Sequence, residues 1–484
     1  MSEMPNLTLK NIALACEGTY VGPTELEDKV ICGVVIDSRL VEKDYLFIPI
    51  KGERVDGHTF IPQVFEKGAC CVLSEAELIN PAGPYIKVES SEMALKKIAA
   101  FYRQSLQIKV VGITGSVGKT STKEMISSVV SQKYAVHKTA GNFNNEIGLP
   151  LTIFGIRAEH EVAILEMGIS DFNEMHRLAE IANPDICVIT NIGLCHLENL
   201  GTRDGILKAK TESFAHMKAG GVAILNGDDD KLSTKRVVNG IPAVFYGMGQ
   251  EPKMDEAGVP MAEKSIYATN VTNLGFEGME VSVHTPQGSF VANITIPGEH
   301  NVYNALAATA VGLELGLTLQ EIKTGIEEAK TIAGRTNLIK AKGMNVVDDC
   351  YNANPVSMEA ALDVLSHAKG RTIAVLGDMG ELGENEKELH YGVGKCVAEK
   401  KIHTLFCAGN LAAWYKKGVK DALVQLEVAD MPDAKQNSAC EVYYFTERDE
   451  MIKELLSYVK AGDSILIKAS HFMDFPKVVE ALTK

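Results

Sequence analysis

The segment from Ile108 to Glu124 contains residue types that could bind the phosphates of a nucleotide. An apolar, β-branched run ends at Ile113, a glycine-punctuated turn carries Lys119 and Thr120, and a helix-compatible stretch follows. Backbone N–H groups and the helix dipole attract anions at such a junction, and lysine adds a full positive charge. The threonine hydroxyl can bind a Mg²⁺ ion that bridges phosphates. This segment therefore predicts a site for a nucleoside triphosphate such as ATP.

The spacing of this loop differs from that of the standard P-loop, which has four residues between its first glycine and the Gly-Lys pair. Here only two residues separate Gly115 from Gly118. A glycine turn with an unrelated lysine is the alternative interpretation, but the preceding strand and the motif both favour nucleotide binding. The predicted nucleotide contacts are Gly115, Ser116, Val117, Gly118, Lys119, Thr120 and Ser121.

Length and charge limit the class of protein to which the chain can belong. A chain of 484 residues exceeds what one hydrophobic core usually serves, so we expect about three domains. The 48 Lys and Arg residues against 63 Asp and Glu residues give a net charge of -15. This balance argues against general binding of nucleic acid or of a membrane surface.

The sequence also favours a cytoplasmic protein. No stretch has the length and apolarity of a membrane span, and the N-terminal residues lack a signal-peptide pattern, so we expect no stable membrane insertion. The 10 cysteines are scattered without metal-ligand spacing, as is typical of a reducing compartment. A monomer is the default expectation.

Alternating apolar runs and helix-compatible stretches predict an α/β fold with three domains. Residues 1–90 form a small α/β unit, residues 91–333 hold the loop and a parallel sheet with an added β-hairpin, and residues 334–484 have a Rossmann-like pattern. The predicted strands are Val30–Ile36, Tyr45–Ile50, Cys70–Leu73, Tyr85–Val88, Val162–Met167, Ile186–Asn191, Val222–Asn226, Asn345–Asp349, Ile373–Gly377, Thr404–Ala408, Val442–Phe445 and Ile465–Lys468, with a hairpin between Ile266 and Ile296. The predicted helices include Phe60–Lys67, Ser91–Ser105 and Asn301–Leu315.

Polar residues end two predicted strands of the central unit, at Glu166 and Asn191. Because open α/β sheets bind ligands at the carboxyl edge of their strands, we expect both side chains to lie near the phosphate loop. Two further polar segments, Asn142–Pro150 and Lys208–Glu212, belong to the same unit.

These segments, in this order and over essentially the whole chain, resemble the Mur ligase family of ATP-dependent peptide synthetases. The runs Asp349–Met358 and Gly377–Gly383 resemble signatures of the member that adds D-alanyl-D-alanine to UDP-N-acetylmuramoyl-tripeptide. The resemblance implies that ATP phosphorylates the tripeptide carboxylate and that the dipeptide amine then attacks, giving the pentapeptide precursor of peptidoglycan. A sibling ligase for another amino acid is the nearest alternative, and a P-loop kinase or nucleotide-gated binding module is a more distant one.

The resemblance also implies two Mg²⁺ ions and a set of catalytic residues, namely Lys119, Glu166, His196 and Lys210. Thr120 and Glu166 would share the first ion, while His196 and a CO₂-carbamylated Lys210 would hold the second. Three of these residues have a structural alternative. Glu166 could cap a helix, His196 could bond to the backbone, and Lys210 could be a solvated lysine. Lys208 competes with Lys210, but the Ala-Lys-x-Glu context favours Lys210.

Contacts to the nucleotide and to the reacting carboxylate are implied in the same way. Asn301 would lie beside adenine, Arg335 near the γ-phosphate and Asp349 near the ribose, so that the third domain closes over ATP. Asn301 as a helix N-cap and Arg335 as an interdomain salt bridge are the alternatives. Asn144 and Asn145 would line the junction of ATP and substrate, or else only form a turn.

The uridine-nucleotide module of the family resembles the runs Asp37–Arg39 and Gly52–His58. Ser38 and Arg39 would contact the diphosphate, and a charged β-turn is the alternative. The uridine nucleotide would bind far from the reacting carboxylate, and its binding energy would help to orient that carboxylate.

The third domain would bind the incoming dipeptide through Tyr351, Asn352 and Asn354. One departure from the family pattern lies near the C-terminus, where Lys468-Ala469-Ser470-His471 stands in place of the usual Lys-Gly-Ser-Arg. Histidine is shorter than arginine and titrates near neutral pH. We therefore expect weaker or more pH-dependent binding of the dipeptide carboxylate.

Overall fold

Three main β-sheets organise the computed structural model, which describes residues 3–428 and 440–484. Helices alternate with the strands of each sheet, so the predicted α/β fold is confirmed. In these two ranges, no helix is both long enough and apolar enough to cross a membrane. The domain limits at residues 90 and 333 stay predictions.

The first sheet contains five short strands, ordered β1-β5-β4-β3-β2 in space, of which β1 is antiparallel to its neighbour and the others are parallel. The strands are β1 (Thr19–Val21), β2 (Gly33–Val35), β3 (Tyr45–Phe47), β4 (Cys71–Ser74) and β5 (Tyr85–Lys87), and the helices are α1 (Leu9–Ala15) and α2 (Ile61–Glu66). The next helix, α3 (Ser91–Ser105), packs mainly against helices of the central unit. Buried side chains of this unit and of the central sheet form one continuous apolar core, so the two units pack firmly together.

The central sheet contains nine strands and carries the phosphate loop. Its strands are β6 (Lys109–Thr114), β7 (Val136–Lys138), β8 (Val162–Glu166), β9 (Ile186–Ile189), β10 (Val222–Asn226), β13 (Val244–Met248), β14 (Ile266–Asn273), β15 (Met279–Thr285) and β16 (Gly288–Ile294), while β11 (Val237–Val238) and β12 (Ile241–Pro242) pair separately. Its helices are α4 (Lys119–Val130), α5 (Gly148–Phe154), α6 (Glu174–Ala182), α7 (Leu197–Leu200), α8 (Arg203–Thr211), α9 (His300–Glu314) and α10 (Leu319–Glu327).

The order of the central sheet, β16-β15-β14-β13-β10-β9-β6-β8-β7, places β6 between β8 and β9. All strands from β14 to β7 in this order run parallel, so β6, β8 and β9 end at the same edge. β15 and β16 form the predicted hairpin, which closes on the pair Thr285 and Gly288.

The third sheet contains six strands, ordered β17-β18-β22-β19-β20-β21, and only β17 is antiparallel to its neighbour. The strands are β17 (Asn337–Ala341), β18 (Met344–Asp348), β19 (Thr372–Gly377), β20 (Thr404–Ala408), β21 (Glu441–Phe445) and β22 (Ser464–Lys468). The helices are α11 (Pro355–Ser366), α12 (Glu386–Glu399), α13 (Ala412–Val428), α14 (Arg448–Tyr458) and α15 (Pro476–Thr483). The largely parallel order agrees with the predicted Rossmann-like pattern.

The predicted strands are all present, but some begin or end at other residues than predicted, where other contacts replace strand pairing. The run Val30–Ile36 was predicted as one strand, but β2 begins only at Gly33, because Val30 bridges Thr8 and Ile31 N donates to the Leu7 carbonyl oxygen. β1, β7, β13 and β17 were not predicted, nor was the separate pair β11 and β12. β1, β7 and β17 are short, partly exposed edge strands, so they lack the apolar run that marks a buried strand, whereas β13 is a largely buried strand within the sheet that was missed.

Candidate active site

The phosphate loop joins β6 to α4 and depends on two glycines. Gly118 precedes the first residue of α4, Lys119, and has φ +84°, a left-handed conformation that favours glycine. Gly115 has φ +150°, and a Cβ atom there would lie 1.9 Å from Oγ1 of Thr190, just after β9. Because any side chain at Gly115 would collide with this neighbour, the loop needs glycine to follow its path.

Hydrogen bonds tie the loop to the end of β9. The Val117 carbonyl oxygen accepts from Thr190 Oγ1 at 2.6 Å and from Asn191 Nδ2 at 3.0 Å, and Val117 N donates to Asn191 Oδ1 at 2.9 Å. Lys119 Nζ donates to the Gly115 carbonyl oxygen at 2.9 Å and so lies along the loop. The shape of the loop is therefore set by protein contacts, and Asn191 has the position expected for it.

Glu166 ends β8 and is buried beside the loop, with 2% of its surface exposed. Its Oε1 accepts hydrogen bonds from Thr120 Oγ1 at 3.2 Å and from Asn144 Nδ2 at 2.9 Å. Its Oε2 is buried without a hydrogen-bond partner in the described part of the chain, and Lys123 Nζ lies 4.0 Å away. A buried carboxylate oxygen without a donor is costly, so this atom fits a cation ligand.

Lys210 and His196 lie within electrostatic range of the loop. Lys210 is 1% exposed in the last turn of α8, and its burial, together with the charge of Lys119, lowers its pKa to about 7. His196 has φ +54° and lies 3.4 Å, through Nδ1, from Oε2 of Glu381. Burial lowers the pKa of His196 below its usual value.

The donor set fits Mg²⁺ better than a metal held by side chains alone. In residues 3–428 and 440–484, no group of three or more His, Cys, Asp or Glu side chains is placed to hold a metal ion. An ion bound by Glu166 and the Thr120 hydroxyl would complete its shell with water and phosphate oxygens. Mg²⁺ keeps several waters and binds through one or two carboxylates plus substrate phosphates.

Most of the predicted site residues line a cleft of about 430 Å³ between the central and third sheets. We call it the carboxylate cleft, after Glu166 and Glu381. The central part contributes Ser116, Val117, Gly118, Lys119, Thr120, Asn144, Asn145, Glu166 and His196, and the third part contributes Arg335, Tyr351, Asn352, Asn354 and Glu381. Lys210 is buried outside this lining.

A second cavity of about 260 Å³ lies between the same two parts of the chain. We call it the tyrosine cavity, after Tyr246 and Tyr303. Asp349 lines it, with Oδ2 2.5 Å from Lys468 Nζ. Arg335 lines both cavities and so connects them, as do Val117 and Gly118, while Ser121 lines only this one.

Asn301 lies behind the wall of the tyrosine cavity. α9 begins at His300 with Glu299 as its N-cap, so the alternative that Asn301 is an N-cap is wrong. Asn301 Nδ2 donates to the Pro297 carbonyl oxygen at 2.9 Å, and its Oδ1 accepts from Asn304 Nδ2 at 2.9 Å. His300 and Asn304 themselves line the cavity. Contact between Asn301 and adenine stays a prediction.

Two asparagines of the carboxylate cleft also bind backbone N–H groups where helices begin. Asn354 is the N-cap of α11 and accepts from Ser357 N at 2.9 Å, while Asn145 Oδ1 accepts at 2.8 Å from N of Gly148, the first residue of α5. The turn-forming alternative for Asn145 is therefore observed, although Asn145 also lines the cleft.

Tyr351 lies between Arg335 and His471, the histidine that departs from the family pattern near the C-terminus. The Arg335 guanidinium lies 4.1 Å from the centre of the Tyr351 ring, and the His471 ring lies 5.9 Å from it, edge to face. A cation over an aromatic ring is attracted to it, so Tyr351 fixes the direction of Arg335.

In the first unit, only one of the two runs expected to bind the uridine nucleotide lines the cavity at Asp56 and His58. The Arg39 side chain is 85% exposed and pairs with Asp37 at 2.6 Å. A cavity of about 630 Å³ is lined by Asp56 and His58, whereas Ser38 and Arg39 lie outside its lining. His58 Nδ1 lies 2.7 Å from Asp56 Oδ1.

Some candidate site residues were missed by the sequence reasoning. Asn226 ends β10 at the same sheet edge as Glu166, so the polar strand end was an available signal. Tyr246 and Tyr303 gave no such signal, because an aromatic residue in an apolar strand or helix is usually part of the hydrophobic core. Glu381 lies in the run Gly377–Gly383, which was noted without a role for this residue.

Comparison with known protein families gives three consecutive matches. Residues 30–111 match the "Mur ligase family, catalytic domain", residues 113–312 the "Mur ligase middle domain" and residues 334–471 the "Mur ligase, glutamate ligase domain". Together they extend over most of the chain, in the order of the three sheets.

Individual proteins match over nearly their full length. The UDP-N-acetylmuramoyl-tripeptide--D-alanyl-D-alanine ligase of Bacillus subtilis (strain 168) is 37% identical over 480 residues, covering 98% of each chain. The crystal structure of MurF from Acinetobacter baumannii has a TM-score of 0.85 with 31% identity and 99% of each chain covered. MurF from Thermotoga maritima in complex with ADP has a TM-score of 0.77 with 29% identity, covering 93% of this chain and 96% of its own. The chain therefore belongs to the Mur ligase family.

Proposed function

We propose that this chain is an ATP-dependent ligase that joins D-alanyl-D-alanine to the terminal carboxylate of UDP-N-acetylmuramoyl-tripeptide and releases ADP and phosphate. The observation that carries the proposal is the carboxylate cleft, in which the phosphate loop and Glu166 face Arg335 and Tyr351 of the third sheet's unit. Relatives of matching length are named for this activity. The product is the pentapeptide precursor of peptidoglycan.

ATP binds across the two cavities. Backbone N–H groups of the loop and the N-terminus of α4 attract the phosphates, and Lys119 adds its charge. The tyrosine cavity offers aromatic walls for the base, with Asp349 near the ribose. Arg335 lines both cavities, so its guanidinium can contact the phosphates where they pass from one cavity to the other.

In the first step, an oxygen of the tripeptide carboxylate attacks the γ-phosphorus, and ADP leaves. Negative charge gathers on both reactants, so the positive charges of Lys119 and Arg335 lower the barrier by neutralising it. Mg²⁺, when bound, supplies further neutralisation of the phosphate oxygens. Thr120 and Glu166 would hold one ion, and His196 with a carbamylated Lys210 would hold another.

In the second step, the dipeptide amine attacks the acyl carbon and phosphate leaves. The loop around Tyr351, Asn352 and Asn354 lies opposite the phosphate loop, which suits it to the incoming dipeptide. The residues assigned to ATP come from both the central and the third units, and those assigned to the dipeptide come from the third. Closure of the third unit therefore assembles the site.

The first unit would hold the uridine nucleotide as a handle, through Ser38, Arg39 and the cavity at Asp56 and His58. We place the reaction in the cytoplasm, in line with the free state of the 10 cysteines. We further propose a monomer with three domains, residues 1–90, 91–333 and 334–484.

Carbamylation of Lys210 is supported by its protonation state. A buried lysine with a pKa of about 7 is largely an uncharged amine at physiological pH. Its nitrogen can attack CO₂, forming an N–C bond and releasing one proton to solvent. The resulting carbamate is an anion with oxygens of the kind that Mg²⁺ binds.

Phosphate release from ATP tests the reaction itself. With Mg²⁺, we expect release only when UDP-N-acetylmuramoyl-tripeptide and D-alanyl-D-alanine are both present, and a product mass equal to their condensation. Lys119→Met and Glu166→Gln should each reduce turnover by at least about a hundredfold, since each removes charge stabilisation at the phosphates. Lys208→Met, on an exposed lysine of α8, is the matched control.

Three results would contradict this assignment. Release with the tripeptide and a different amine would identify a sibling ligase. Turnover retained in both Lys119→Met and Glu166→Gln would refute the assigned site. No release with any pairing would refute ligation.

The pKa of Lys210 predicts a pH dependence of stability in CO₂-free buffer. Between the folded pKa of about 7 and the unfolded value near 10.5, the unfolded chain binds a proton that the folded chain has lost, so stability rises with pH. We expect the free energy of unfolding of wild type, relative to Lys210→Met, to increase by up to about 1.4 kcal/mol per pH unit in this window. Denaturant unfolding from pH 6.5 to 9 measures this, with Lys208→Met as control. A flat difference would show that Lys210 stays protonated.

Carbamylation itself is tested by ¹³C NMR in ¹³C-bicarbonate at pH 8. Wild type and Lys208→Met should each show one slowly exchanging carbamate resonance, which Lys210→Met lacks. The resonance should disappear on acidification, because protonated carbamates lose CO₂. A signal that persists in Lys210→Met would assign the modification to another amine.

A further inference from the structure

We propose that Glu381 binds the ammonium group of the incoming D-alanyl-D-alanine and holds its nitrogen toward the acyl carbon. The inference rests on the proposed function and adds a substrate contact on the acceptor side of the carboxylate cleft. Of the described residues that the third sheet's unit presents to this cleft, Glu381 alone carries a carboxylate.

The backbone of Glu381 is held in a conformation that its own residue type disfavours. Its φ is +59°, in the left-handed region that glycine or asparagine adopts more easily. The preceding residues fix this path, because Met379 N donates to His390 Nε2 at 2.9 Å and Gly380 N donates to Ser470 Oγ at 2.9 Å. Strained backbone conformations cluster at functional sites, and this one lies in the lining of the carboxylate cleft.

The carboxylate of Glu381 is exposed to the cleft, whereas that of Glu166 is buried and is assigned to a metal ion. The Glu381 side chain is 72% exposed, and its Oε2 lies 3.4 Å from His196 Nδ1, longer than a charge-assisted hydrogen bond. Glu166 is 2% exposed and already accepts bonds from Thr120 and Asn144. Of the two carboxylates of the cleft, Glu381 is therefore the one exposed enough to receive a mobile substrate.

The positive side chains of the cleft favour such a contact. Lys119 and Arg335 line the same space and would repel an approaching ammonium group. A carboxylate opposite the phosphate loop offsets this repulsion and places the nitrogen beside the reacting carbon. The ammonium first loses one proton to water, which frees the nitrogen lone pair. The amine then attacks, forming the N–C amide bond and breaking the C–O bond to phosphate, and the departing phosphate takes the second proton.

Splitting the reaction into its two steps tests the role of Glu381. We would compare wild type, Glu381→Gln and, as matched control, Glu384→Gln, an exposed residue of the same loop outside the cleft lining. The first assay measures amide formation as D-alanyl-D-alanine is varied. The second omits the dipeptide and traps the acyl phosphate with hydroxylamine, an amine that is uncharged at pH 7.5 and needs no ammonium site.

We expect Glu381→Gln to raise the KM for D-alanyl-D-alanine about tenfold to a hundredfold, as loss of a charged hydrogen bond predicts, and to change hydroxamate formation by less than about twofold. Glu384→Gln should match wild type in both assays. Thermal unfolding would verify that both variants fold.

Each other outcome overturns the proposal. An unchanged KM for the dipeptide in Glu381→Gln would exclude the ammonium contact. A parallel loss of hydroxamate formation would assign Glu381 to closure or to support of His196. If wild type forms hydroxamate but no amide with the dipeptide, or forms neither product, the proposed function fails first, and this assignment with it.

Discussion

Glu166 connects three segments of the central unit, because its Oε1 accepts hydrogen bonds from Thr120 on α4 and from Asn144 in the loop before α5, while the residue itself ends β8. A carboxylate at 2% exposure needs hydrogen-bond donors and cations around it. Lys123, 4.0 Å from Oε2, supplies one charge from the protein side. The rest of the compensating positive charge must come from the side of the phosphate loop. The burial of Glu166 therefore orders these segments and also creates a place for a cation beside the phosphates.

The rest of the site follows from the order of the strands. With β6 between β8 and β9, Glu166 and Asn191 flank the phosphate loop, and the loop can be tied to Asn191 through Val117. This edge supplies one wall of each cavity, and the third sheet's unit supplies the other through Arg335 and Asp349. Neither unit alone surrounds a nucleotide, which makes catalysis depend on how the two meet.

How far the sequence predicts this site depends on whether a residue's role is local. Lys119, Thr120, Glu166 and Asn191 were found because strand ends and glycine turns have local patterns, and the structure brings them together. Tyr246, Tyr303 and Glu381 reach the site only through long-range packing of β13, α9 and the loop after β19, which no local pattern encodes. The strand predicted over Val30–Ile36 was too long for the same reason, since Val30 and Ile31 pair with residues near the N-terminus.

Burial and a local group of cations together lower the pKa of a lysine at the centre of an acidic chain. The net charge is -15, yet Lys119, Lys123 and Lys210 lie close to the phosphate loop. Burial, and then the charge of Lys119, disfavours protonation of Lys210. Both effects favour the uncharged amine, which is the form that reacts with CO₂. Under the proposed modification, a repelled cation becomes an anion that Lys119 attracts. The loop that binds ATP would therefore also favour the ligand needed for a second Mg²⁺.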